Sequence, residues 1–157
     1  MSNTNNDPQS PANGQNRAIY VVYALAAPPE QVWRALTEPE LLEQWLFPND
    51  IVPQVDHPFS FRTTPAPGFD GTIRCEVRAV VPHLYLVYSW NSGPVQTVVN
   101  FTLDAPTDGS TRLTLLHTGF GPKDGAIYDL LEKGWRVRSG GLLQEVVASL
   151  QDTAAGN

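Results

Sequence analysis

Residues 70–91 read DGTIRCEVRAVVPHLYLVYSWN. Apolar and polar side chains alternate with a period of two, the pattern of a strand with one face buried. Ile73, Cys75, Val77 and Ala79 fall on one face, and Arg74, Glu76 and Arg78 on the other. Pro82-His83 interrupts the run. Leu84, Leu86, Tyr88 and Trp90 then share the apolar face of a second strand. A connection this short makes the two strands antiparallel. The sheet they begin has one apolar and one wet face, so something else in the chain must cover it.

The same period extends outward from this hairpin. Strands are expected at 51–56, 59–64, 70–81, 84–91, 95–104 and 111–118, separated by turn signals such as Ser92-Gly93-Pro94 and Asp108-Gly109. In the last two, Thr97, Val99, Phe101 and Leu103, and Leu113, Leu115 and His117, form the inward rows. An earlier β-branched and aromatic run, Ile19–Leu25, makes a seven-stranded meander. Between it and the rest, Pro28-Pro29-Glu30 starts one short helix. Thr37 and Glu40 have capping-box spacing for a second, which buries Leu41, Leu42 and Trp45. The cover is the C-terminal pattern. Ile127, Leu131, Trp135, Leu142 and Val146 recur at helical steps after a cap at Asp124. A helix over 124–151 would be about 42 Å long. Gly134, Gly140 and Gly141 interrupt it, each at roughly 1 kcal/mol against alanine. A close approach, a kink or room for a ligand must compensate.

Composition bounds the rest. The 157 residues carry 16 acidic and 10 basic side chains, a net charge of −6. With 41% hydrophobic and 17% charged residues the chain can own a core. Residues 1–16 are polar and are expected to form a disordered tail, as are 153–157, leaving a single domain over 17–152. The acidic balance and only two lysines argue against nucleic acid as a partner. No apolar run is long enough to insert in a membrane, and no secretory signal is visible, so the expected compartment is the cytoplasm. The single cysteine, Cys75, excludes an internal disulfide and a cysteine-cluster metal site.

The order of elements and a set of local motifs resemble a known family. The motifs are APPEQVWRALT at 27–37, PELLEQW at 39–45 and Gly71-Thr72-Ile73 leading to LVYSW at 86–90. They continue with TRLTL at 111–115, HTGF at 117–120 and Gly134-Trp135. Together, over Arg17 to Leu150, they are similar to the homologues of the activator of heat-shock-protein-90 ATPase, within the START-like (SRPBCC) helix-grip superfamily. Where that family usually has a Gly-Gly pair, this chain has Asp56-His57-Pro58. The resemblance implies an α+β helix-grip fold: a curved antiparallel sheet gripping the long helix, with a cavity between them for an apolar or amphipathic small molecule.

Trp45, Phe61, Cys75, Tyr88, Trp90, Phe101, His117, Trp135, Arg138 and Leu142 are the residues expected to line that cavity. A neutral imidazole at His117 could orient a ligand or move a proton, with Tyr88 as its polar companion. The simpler reading is a core histidine satisfied by a tyrosine or a backbone group. Arg138 could reach a ligand carboxylate or snorkel to an edge. Asp50, Asp56 and His57 lack metal-ligand spacing. The Gly119–Gly125 loop lacks a dinucleotide fingerprint, and Pro122 and Asp124 disfavour a phosphate there. No metal and no cofactor is therefore expected. Three functions follow: non-catalytic ligand binding, first; an enzyme resembling polyketide cyclases and aromatases, with His117 and Tyr88 as its catalytic pair; and a co-chaperone-like interaction module. A two-fold homodimer is compatible with each.

Overall fold

The computed structural model describes residues 17–155, with side chains as far as Leu150. The expected tail at 1–16 lies outside the described residues, as do Gly156 and Asn157. The elements run β1 (Arg17–Leu25), α1 (Pro29–Thr37), α2 (Pro39–Trp45), β2 (Pro58–Arg62), β3 (Thr72–Val81), β4 (Tyr85–Ser92), β5 (Val95–Asp104) and β6 (Thr111–Phe120). The C-terminal cover follows as α3 (Gly125–Lys133), a π-helical segment (Gly134–Arg138) and α4 (Ser139–Ala155). This is the α+β helix-grip architecture. Its last helix runs to Ala155.

The sheet has six strands, all antiparallel, in the order β1-β6-β5-β4-β3-β2. Strands β2 to β6 form the expected meander. β1 does not join beside β2; the α1–α2 crossover carries the chain away, and β1 pairs with β6, Val21 opposite Leu115. The alternation expected from sequence holds through the middle of each strand, but Leu84 precedes β4 and is 56% exposed, and Ala79 lies past a register shift after Val77 and is only partly buried. Ile73, Cys75 and Val77, then Leu86, Tyr88 and Trp90, then Val99 and Phe101, and Leu113, Leu115 and His117 are all buried. Each large apolar side chain removed from water contributes about 1.5–3 kcal/mol before entropy is counted.

Four local expectations need correction. The segment 51–56 is not a strand. Pro53 has no N–H to give a ladder, and Asp56 turns the chain with φ 70°, the left-handed region a glycine occupies without strain. The preceding residues 48–50 instead guard the free edge of β2. Arg62 N–H donates to Pro48 O at 2.9 Å, and Ser60 N–H to Asp50 Oδ1 at 2.8 Å. The Thr37–Glu40 capping box does not form. Thr37 lies in the last turn of α1 and its hydroxyl donates to Trp33 O at 2.8 Å. Asp124 stands at the start of α3 but its carboxylate accepts from Gly121 N–H at 2.7 Å, closing the turn rather than capping the helix.

The fourth correction concerns the long helix itself. It is not one α-helix; a π turn interrupts it, with Ser139 N–H donating to Gly134 O, five residues back. The hydroxyl of Tyr23 on β1 donates to Trp135 O within this segment at 2.6 Å. Of the three glycines, Gly140 approaches Tyr23 and Gly134 sits where an added Cβ would meet nothing within 4 Å. The helix also satisfies the edge strand β1. Tyr128, Arg136 and Gln144 donate to the carbonyls of Ala18, Tyr20 and Ala24 at 3.0, 3.1 and 2.6 Å. Unpaired strand edges invite aggregation, so this cover has a purpose beyond packing.

Candidate functional site

Two regions lie between sheet and helices, and they differ in filling. The centre is solid aromatic packing. Tyr88 meets Phe59 at 5.0 Å between ring centroids and Phe61 at 6.1 Å. Phe101 packs on Trp45 at 6.3 Å and on Trp135 at 6.0 Å. Trp45 donates its indole N–H to Ala35 O at 2.9 Å. At one end of the sheet the packing opens into a cavity of about 690 Å³. Leu46 and Phe47, just past α2, form one wall, and the β2–β3 loop from Thr63 to Phe69 another. Trp90 and Ser92 of β4 and Val95 of β5 make the floor. Ile127, Leu130, Gly134, Trp135 and Arg138 line it from the α3–π side.

Of the residues singled out from sequence, Trp90, Trp135 and Arg138 border this cavity. Trp45, Phe61, Cys75, Tyr88, Phe101 and His117 are buried in the core and do not border it. Leu142 is partly buried against that core, away from the cavity. The sequence analysis missed Ser92, Phe69 and the β2–β3 loop. Loop residues carry no periodicity, so no pattern marked them. Gly134 did carry a signal: a helix glycine with room beside it.

His117 is tied on both nitrogens. Trp135 Nε1–H donates to Nδ1 at 3.1 Å, so Nδ1 is the bare nitrogen and Nε2 carries the proton. Nε2–H then donates to Thr97 Oγ1 at 2.8 Å, and that hydroxyl donates to Trp90 O at 2.7 Å. Burial pushes the imidazole pKa down to about 3, so the ring is neutral near pH 7. Tyr88 is therefore not its companion. Burial holds the Tyr88 hydroxyl well above its ordinary pKa, and among the described residues no group bonds to it. Burial also raises the Cys75 thiol, with the Asp50 carboxylate adding to the effect. A protonated buried thiol is a poor nucleophile.

Among the described residues, two lining side chains also hold an enclosed polar atom without a partner: the indole N–H of Trp90, a side chain only 1% exposed, and the Ser92 hydroxyl. Arg138 lies along the wall, its Nη1 3.4 Å from Leu46 O and its guanidinium 5.8 Å from the centre of the Phe47 ring. Asp50 and His57 are engaged locally, with Ser60 N–H and Pro58 O. Among the described residues no three His, Cys, Asp or Glu side chains converge as metal ligands.

A family model described as "Activator of Hsp90 ATPase homolog 1-like protein" matches residues 26–147. The chain belongs to this family. Solved structures agree on its fold. The Mesorhizobium loti protein MLL2253 is 36% identical with a TM-score of 0.71, over 87% of this chain and 98% of that one. DynU16, a protein of the dynemicin biosynthetic locus, is 24% identical with a TM-score of 0.69, but this chain covers 47% of its length and 83% of its own. PFC0360w, described as an HSP90 activator from Plasmodium falciparum, is 17% identical with a TM-score of 0.67, over 85% of this chain and 96% of that one. These last two share the fold with this activator-homologue chain, and nothing further follows at such identities. No curated protein matches the sequence. No helix among the described residues is long and apolar enough to cross a membrane.

Proposed function

We propose that this protein binds an apolar or amphipathic small molecule in the cavity at the β4–β5 end of the sheet, without converting it. The observation that carries this reading is the cavity itself. Its volume of about 690 Å³ falls within the usual range for small-molecule sites, and its wall is largely apolar. Trp90, Trp135 and Arg138 are the residues proposed to touch the ligand. The π turn supports the reading, since such turns recur at functional sites; here it forms part of the cavity wall.

A proton-transfer enzyme is the weaker reading. The lone pair of His117 Nδ1 is taken by Trp135, and the imidazole stays neutral until about pH 3. Neither His117 nor Tyr88 borders the cavity. Native mass spectrometry of freshly purified protein tests the proposal, with thermal melts against alkyl compounds, flavonoids and aromatic polyketides. We expect a one-to-one adduct, or a melt raised by one class. At a free concentration 100 times Kd, the rise should be about 5–10 °C. No adduct and no shift with any class would overturn the reading.

A further inference from the structure

We infer that the occupant of this cavity is an amphipathic carboxylic acid, its anionic head at Arg138 and its apolar body between Trp90, Trp135 and the β2–β3 loop. This rests on the cavity being a ligand site and adds the chemistry of the head group.

Among the described residues Arg138 is the one charged side chain that lines the cavity, and no aspartate or glutamate does so. In a chain of net charge −6 with 16 acidic side chains, a carboxylate-free wall is a distinctive local environment. Arg138, like Arg17 and Arg62, has no acidic partner among the described residues, whereas the other five arginines do. Arg34, Arg74, Arg78, Arg112 and Arg136 each pair with an aspartate or glutamate within 4 Å. Among the described residues the guanidinium of Arg138, an exposed side chain at the cavity wall, meets a carbonyl at 3.4 Å and a ring face. Its planar fork fits a carboxylate with two parallel hydrogen bonds.

The rest of the wall is compatible with this. No carboxylate or imidazole among the described lining residues balances an ammonium head, which would find only the aromatic faces of Phe47, Phe69, Trp90 and Trp135. An acid with an alkyl or aromatic body finds a cation at Arg138 and apolar contact elsewhere.

The test compares three probes of equal chain length below their aggregation concentrations: decanoate, decanol and decyltrimethylammonium. Binding to the full chain is followed by titration calorimetry at pH 8. Decanoate should bind about threefold to fivefold more tightly than decanol, as an exposed ion pair provides. The ammonium should bind most weakly. The acid's advantage should shrink as salt is raised. Arg138→Gln should abolish the difference between acid and alcohol, and Arg138→Lys should restore part of it. Equal binding of acid and alcohol by the wild-type chain would overturn the head-group inference and leave the cavity reading standing. That comparison needs no variant, so it holds even if Arg138→Gln fails to fold. No binding of any probe would overturn both.

Discussion

At the scale of single residues, the core separates groups that serve packing from groups that face the cavity. His117 and Tyr88 stood on inward rows of the sequence, and that much was legible from alternation alone. Their partners were not. The partner of His117 is Trp135, on a helix 18 residues away, and only the packed fold brings it there. Two predictions follow from these side chains. The Tyr88 hydroxyl is fully buried with no partner among the described residues. Removing it should therefore be neutral or stabilising, by up to about 1 kcal/mol. Urea unfolding of Tyr88→Phe checks this, and a loss above 1 kcal/mol would show a partner that the geometry lacks. His117 gives a pH dependence. Its folded pKa is lowered to about 3, so the unfolded chain takes up the proton first, near the ordinary value of 6.5. Stability is complete above that value and falls as pH drops toward 3. Between pH 7.5 and pH 5 the loss should be about 2 kcal/mol. A flat unfolding free energy across that range would contradict the buried neutral imidazole.

At the scale of elements, strands read well and their exceptions have a common cause. The period-two runs from 70 to 118 became β3 to β6 with bounds within a few residues of those expected. The segment 51–56 looked similar but holds Pro53 and the left-handed Asp56. It follows the short stretch that covers the β2 edge. The helix glycines were legible as a disturbance. Their consequence, a π turn, was not, because it depends on β1 donating Tyr23 to Trp135 O. That bond tests the role of the turn. Tyr23→Phe should cost about 1–2 kcal/mol in chemical denaturation, since it leaves a carbonyl without its buried donor. It should also weaken decanol binding, because Trp135 and Gly134 line the cavity. An unchanged stability and an unchanged affinity would mean that the π turn holds itself.

At the scale of the whole molecule, the cavity arises where the sheet, two helical layers and one long loop fail to close on each other. Periodicity assigns a residue to a face, not to a position along the sheet. That is why the aromatic residues expected in the site divide between a filled centre and an open end. The loop from Thr63 to Phe69 completes the wall, and its proline-rich sequence signalled only a turn. The account turns on whether small molecules enter at that end. The most direct measurement is a nitrogen–proton NMR titration of the labelled protein with decanol. We predict saturable, one-to-one shifts at the indole N–H of Trp90 and the amide of Gly134. The indole of Trp33, packed against His83 away from the cavity, should not move. Signals at Trp90 and Gly134 that stay fixed, or shifts confined to the backbone amides of the exposed sheet residues Tyr20, Val22 and Leu116, would contradict it.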